Sequence, residues 1–302
     1  MRQIESVGLS NTTSRLASVT SSDPIAASEA IESLLVRHNH RGMAQLRTEM
    51  APGYLLRAAK QIRECRGRVY ILTGFPVGTS FETDGPAGAM ALYRLCRRHH
   101  SDPVILSDPT VVSALLDDFS CVSIPPGAQE ETREAAAALY QKHPPSLVIS
   151  IERPGAAADG RCYNMAGEDI SGRCSQAEPY LSQANCPTIA IGDGGNELGM
   201  GNVLESLSSL NIKPAVSRCQ ELIVADVSNW AAYALCRVTD WLAGIAHDAL
   251  PDIQSDLDYL VSKGAIDGVT GEATPTEDGF AVAEGQDLVK AVQALLKAEK
   301  SP

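Results

Sequence analysis

Thr188-Ile189-Ala190-Ile191-Gly192-Asp193-Gly194-Gly195-Asn196-Glu197-Leu198-Gly199-Met200-Gly201 is a short apolar, β-branched run that stops at a cluster of glycines carrying two acids and an amide. A helical pattern resumes over residues 196–210, so the stretch reads as strand, loop and helix. Glycine serves where backbone turns sharply or must approach something closely. This loop is therefore shaped for a ligand or for tight strand–helix packing. The acids narrow the choice of ligand. A phosphate cradle presents bare N–H groups in positive potential, whereas Asp193 and Glu197 bring negative charge to the helix mouth. The loop suits a metal ion or an ammonium group.

The same texture extends outward on both sides. Val69-Tyr70-Ile71-Leu72, Val104-Ile105-Leu106, Cys121-Val122-Ser123-Ile124, Leu147-Val148-Ile149-Ser150-Ile151 and Leu222-Ile223-Val224-Ala225 are further short apolar runs separated by helical patterns. Alternation of that kind predicts an α/β fold, a doubly wound and mostly parallel sheet with helices on both faces. An N-terminal helical lead-in precedes it over residues 24–66, packed on the main domain of residues 67–300. Asp23-Pro24 supplies an N-cap and a first-turn proline for a helix to about residue 38, and a second helical stretch from Arg41 breaks at Pro52-Gly53. Long helices are expected over residues 230–247 and 284–297. Residues 1–23 are Ser/Thr-rich without a period and are expected to form a flexible tail.

Composition bounds the function. The 302 residues are 44% hydrophobic, with no apolar run near the roughly 20 residues that a spanning helix needs, and the first residues show no charged n-region followed by a hydrophobic h-region, so a secretory leader is not expected. A net charge of −12 opposes nucleic acid and anionic membrane surfaces, so small-molecule chemistry is favoured and a homo-oligomer stays open. Eight cysteines without Cys-x-x-Cys pairs read as reduced core residues of an intracellular protein.

In an open parallel sheet, ligands bind beyond the carboxyl ends of the strands. The loops expected there carry Glu82 and Asp84, then Asp108, then Glu152, then Asp193 and Glu197. Crowded carboxylates need a divalent cation, a substrate ammonium, or raised pKa values suited to proton transfer. All-oxygen donors suit Mg²⁺ or Mn²⁺. Asp84, Glu152, Asp193 and Glu197 are the catalytic candidates, and Asp193 with Glu197 the metal ligands. Glu82, Arg153, Asn164 and Asn196 are the substrate-binding candidates, with Arg153 placed to grip a carboxylate through its guanidinium fork. Asn164 falls in a long irregular segment, residues 159–171, whose length points to function. Plainer roles stand beside these: Asp84, Asp108 and Ser228 each suit helix capping, and Arg153 suits a surface pair with Glu152. No nucleotide cofactor is expected, because Glu197 occupies the last glycine position of the dinucleotide fingerprint and a P-loop lysine is missing. The loop also resembles that of haloacid-dehalogenase-like phosphohydrolases, which leaves a magnesium-dependent phosphohydrolase open, although no Asp-x-Asp-x-Thr/Val nucleophile loop accompanies it.

Taken together, Glu82-Thr83-Asp84-Gly85-Pro86, Glu152-Arg153-Pro154-Gly155, Tyr163-Asn164-Met165, the Gly192–Gly201 loop and Ser228-Asn229-Trp230 resemble the carboxy-terminal domain of the D-glutamate cyclase family. The resemblance spans residues 68–271. It implies dehydration of D-glutamate to 5-oxo-D-proline by a lyase, with a divalent metal as one option left open by the acids, and a mitochondrial matrix location, cytoplasmic otherwise. In the animal mitochondrial members a larger amino-terminal domain precedes this one, so a non-catalytic amino-acid-binding domain is the further alternative.

Overall fold

Each apolar run becomes a strand of one parallel sheet: β1 (Arg68–Leu72), β2 (Asp102–Ser107), β3 (Cys121–Ser123), β4 (Leu147–Ile151), β5 (Thr188–Gly192) and β6 (Glu221–Val224). The computed structural model describes residues 23–126, 129–245 and 251–298. The strands lie in the order β3-β2-β1-β4-β5-β6 with every neighbouring pair parallel. The runs are continuously apolar because both faces are covered. Val69, Ile71, Ile149 and Ile191 enter one core layer, while Tyr70, Leu72, Leu106 and Val148 enter the other.

Helices α1 (Pro24–Leu35), α2 (Met43–Glu49) and α3 (Tyr54–Glu64) precede the sheet. Between and after the strands come α4 (Pro86–Arg98), α5 (Pro109–Leu115), α6 (Gln129–Lys142), α7 (Glu178–Ser182), α8 (Leu204–Leu207), α9 (Ser228–Leu242), α10 (Ile253–Ser262) and α11 (Val282–Ala298). The first layer is built mainly from α1, α3, α4, α9, α10 and α11, the second from α6 and α7. Residues of α2 and α8 cover Ala190, Leu222 and Val224 at the β5–β6 end.

The expected lead-in is present. Asp23 caps α1 by accepting from the Ile25 N–H at 2.9 Å, and the break at Pro52-Gly53 falls between α2 and α3 with Gly53 at φ 81°. A buried carboxylate joins α1 to the start of α3: Glu32 accepts from Ser28 Oγ (2.8 Å) and from the N–H groups of Gly53 (3.2 Å) and Leu55 (3.0 Å). It thereby satisfies orphan donors at the start of α3.

Two expectations need correction. The glycine-rich loop does not lead into a helix at Asn196. A turn with Gly195 and Gly199 at φ 96° and 93° comes first, then one 3₁₀ turn (Gly201–Val203), then the short α8. Left-handed residues at 195 and 199 cannot continue a right-handed helix. The helix expected over residues 230–247 ends at Leu242, and its last expected positions, 246 and 247, lie outside the described residues. Residues 1–22 of the expected tail lie outside them too. Two small hairpins were not legible, Pro76–Val77 with Ser80–Phe81 and Thr276–Glu277 with Phe280–Ala281. The second turns through Asp278 and Gly279, at φ 53° and 80°.

Candidate active site

The strand order reverses direction between β1 and β4, the switch point at which an open α/β sheet leaves a crevice beyond its carboxyl ends. Loops after β1, β4 and β5 meet there around a cavity of about 390 Å³. Glu82, Glu152, Asp193 and Glu197 line it, and one carboxylate oxygen each of Asp84, Glu152 and Asp193 lie within 4.8 Å of one another. Glu82, Asp84, Glu152, Asp193 and Glu197 are therefore together, as expected, whereas Asp108 does not line the cavity and is held by Arg153.

Their orientations come from α9. Asp84 accepts from the first N–H groups of that helix, Ser228 at 3.0 Å and Asn229 at 2.7 Å, where the helix dipole favours a carboxylate. It does not cap its own helix, α4, whose N-cap is Gly85. Asn229 returns the favour by accepting from Gly85 N–H (2.9 Å) and Gly88 N–H (2.7 Å). Ser228, read as an N-cap, instead donates through Oγ to Glu152 Oε2 at 2.6 Å. Glu152 sits at φ 41°, a region rarely occupied by a residue with a side chain, which turns its carboxylate into the crevice immediately after β4. Gly85 permits this, since a Cβ there would stand 2.6 Å from that of Glu152.

Glu197 behaves differently from its expected role as partner of Asp193 in holding a metal. Its carboxylate folds back and accepts from the N–H groups of Asp193 (3.3 Å), Gly194 (2.7 Å) and Gly195 (2.7 Å). The bare donors left by the glycines form a nest around their own glutamate. The oxygens that converge with Asp193 are those of Asp84 and Glu152. Arg153 is also placed otherwise than expected. It is fully buried, forks onto Asp108 (2.6 and 2.9 Å) and donates to the carbonyls of Gly74 and Ser175, so both terminal nitrogens are engaged; its Nε–H has no partner among the described residues, and the side chain is not part of the cavity lining. Asp108, expected as a cap of α5, makes no capping bond. Asn196 is 2% exposed and donates to Tyr163 O at 2.8 Å, while Asn164 holds the turn of its own segment through Ala166 N–H, Glu168 N–H and the Glu168 carboxylate. Both line the cavity.

Two residues were not foreseen. Arg41 enters from the segment before α2 and pairs with Asp193 and, at 2.6 Å, with Asp278. Asp226, just after β6, places that segment by accepting from His38 and Asn39 N–H at 2.7 and 2.8 Å. Asp278 arrives on the second hairpin, for which the Asp-Gly pair was the available signal. Arg41 had none beyond the surplus of acid.

The described family of D-glutamate cyclase-like, C-terminal domains matches residues 31–293, from α1 into α11, and so includes Arg41 and Asp278 as well as the acids. The chain belongs to this family. It is also 32% identical over 248 residues to the human protein named D-glutamate cyclase, mitochondrial, a match covering 73% of this chain and 39% of that relative. The chain thus spans well under half the length of this relative. Among the described residues, no helix is long and apolar enough to cross a membrane.

Charge is unbalanced in this cyclase-like site. Burial pushes Glu82, Asp84 and Glu152 well above the usual carboxylate range. The charges of Asp278 and Asp193 add to the first two, and those of Asp193 and Glu197 to the third. Burial also raises Asp193 and Glu197, opposed by Arg41 at the former and by the Gly194 N–H at the latter. Asp278 is pushed up to about 7 by burial and by Asp193. The site lacks positive charge or holds protons. Three hard oxygen donors fit Mg²⁺ or Mn²⁺, and equally a substrate ammonium. A second cleft, about 450 Å³ between α4, α9 and α10, lacks this imbalance because its Arg94 and Arg98 are paired with Asp256 and Asp240.

A pH dependence follows. Glu277, buried beneath Tyr233, Asn229 and Trp230, is also pushed up to about 7 by that burial. Unfolded carboxyls titrate near 4, so between about 4 and 7 the native state binds more protons and stability falls as pH rises. The ligand-free protein is expected to melt at a higher temperature at about pH 5 than at about pH 8, and Mn²⁺ is expected to shrink the difference. Thermal scans across that range check this. A melting temperature that climbs from acid to neutral contradicts it.

Proposed function

We propose that the protein is a lyase that converts D-glutamate to 5-oxo-D-proline and water. The observation that carries this reading is the convergence of Asp84, Glu152 and Asp193 at the switch point of a domain whose human relative is named D-glutamate cyclase. In the reaction the α-amino nitrogen bonds to the γ-carboxyl carbon, and a C–O bond of that carboxyl breaks. No oxidant, reductant or nucleotide is consumed. Folding one molecule so that its ends meet supplies several kcal/mol of the barrier as entropy already lost on binding.

The chain's own groups match these needs. A carboxyl that holds its proton near neutrality can deliver it to the departing hydroxyl, and a neighbouring carboxylate can take the proton of the ammonium, which must be neutral to attack. Glu152 and Asp193 border the cavity and serve these two steps, while Asp84 and the start of α9 fix their positions. Arg41 tethers Asp193 and Asp278 and offers positive charge beside the oxygen that becomes negative in the tetrahedral intermediate. A divalent cation held by Asp84, Glu152 and Asp193 would supply, when bound, polarisation of the γ-carboxyl. A cavity of about 390 Å³ is of amino-acid size. The relative's name also supports a mitochondrial location.

Incubation with D-glutamate, L-glutamate and a panel of phosphate monoesters, with and without Mn²⁺, tests the reading. Formation of 5-oxoproline from D-glutamate, followed by NMR, is the expected result. Phosphate release without 5-oxoproline makes the protein a phosphohydrolase, and D-glutamate binding without turnover makes it a binding domain.

A further inference from the structure

The cavity is acidic inside and basic at one edge. Arg173, exposed, lines it from the segment between β4 and β5 that also contributes Asn164 and Met165. Arg41, the other arginine on the wall, is committed to Asp193 and Asp278. Among the described residues, no side-chain hydrogen bond or ion pair engages Arg173. A second lining residue carries an unpaired acceptor: Asn196, 2% exposed, has its amide fixed by Nδ2 donating to Tyr163 O, and its Oδ1 finds no partner among the described residues. A buried acceptor without a donor is costly, and a ligand N–H would relieve it.

We propose that Arg173 grips the α-carboxylate of the substrate while Asn196 Oδ1 accepts from its ammonium. This rests on the D-glutamate reading and assigns the substrate's orientation within it. The physical argument is one of sign. The interior, crowded with Glu82, Glu152, Asp193 and Asp278, repels any carboxylate that stays ionised through the reaction. The γ-carboxyl loses an oxygen and takes up a proton on the way, so it can enter. The α-carboxylate takes no part in bond making and must find a cation at the rim. A guanidinium with an unengaged fork is the group suited to it. Holding the ammonium at Asn196, the α-carboxylate at Arg173 and the γ-carboxyl among the inner acids gives three points of attachment, the minimum needed to tell D- from L-glutamate.

Steady-state kinetics of Arg173→Ala and Arg173→Lys with D-glutamate test this, beside wild-type kinetics on D-isoglutamine, whose α-carboxylate is an amide. Losing one charged hydrogen-bonded contact raises KM about 10- to 100-fold. The value of kcat is expected to stay within about threefold, because the contact is the same in ground and transition states. Arg173→Lys recovers part of the loss, Arg173→Ala narrows the preference for D- over L-glutamate, and D-isoglutamine is used as poorly by the wild type as D-glutamate is by Arg173→Ala. A wild-type KM in Arg173→Ala, with D-isoglutamine turned over as readily as D-glutamate, overturns this inference and leaves the cyclase reading standing. Wild-type protein that neither binds nor converts D-glutamate overturns both.

Discussion

Asp193→Asn is expected to lower D-glutamate turnover by roughly 10²- to 10⁴-fold while the ligand-free protein melts no lower than the wild type. The substitution keeps the shape of the side chain and removes its charge. Asp193 is almost wholly buried beside Glu152, Asp84, Asp278 and Glu197, and Arg41 opposes their mutual repulsion. Taking one charge away relieves that repulsion, and Arg41 keeps Asp278 as a partner. The backbone of the loop stays in place because Glu197 holds the N–H groups of Gly194 and Gly195. What is lost is a proton acceptor and one of three converging oxygens. Turnover and melting temperature, measured on one preparation, check both halves. Normal turnover would show that Asp193 serves the packing of the loop, and so would a variant that unfolds.

Arg153→Ala is expected to have the opposite profile, costing about 3–5 kcal/mol of stability as the loss of one partner of a buried ion pair does. The Asp108 carboxylate would keep the Ser175 N–H but lose both arms of the fork, and the Gly74 and Ser175 carbonyls would lose a donor. Arg153 also holds Asp108 below the usual carboxylate range, although burial alone would raise it. That part of the stability is present above the unfolded pKa near 4 and is lost as pH falls through the lower folded value. The double substitution Arg153→Met with Asp108→Leu is expected to recover much of the cost, because it leaves no unpaired charge. Urea unfolding measures both. An Arg153→Ala protein of wild-type stability with a raised KM for D-glutamate would return Arg153 to substrate binding.

The architecture was legible in short apolar runs because a sheet covered on both faces requires continuous hydrophobicity. The observed strand ends lie close to those read from Val69–Leu72, Leu147–Ile151 and Thr188–Ile191. Convergence of Glu82, Asp84, Glu152 and Asp193 was legible for a topological reason: each follows a strand of the same sense, so all open on one edge. What each carboxylate faces was not legible. Glu197 turns to its own loop because glycine leaves N–H groups bare on that side, a matter of φ at Gly195 and Gly199 that residue spacing does not reveal. Arg153 and Asp108 find each other across two strand–helix connections, and nothing local to either marks the pairing. Arg41 and Asp278 come from segments far apart in the chain and meet only once α2 and the second hairpin dock on the sheet. Charge surplus at the mouth implied that a cation was needed, and it gave no indication that an arginine from the lead-in would supply part of it.

A crystal structure of the protein soaked with 5-oxo-D-proline tests the central claim most directly. The account predicts the product ring in the cavity at the β1–β4 switch point, its amide N–H toward Asn196 Oδ1, its lactam oxygen beside Asp193 and Glu152, and its carboxylate toward Arg173. Density for the product in the cleft of Arg94, Arg98 and Asp256, or density nowhere near the three carboxylates, would contradict it.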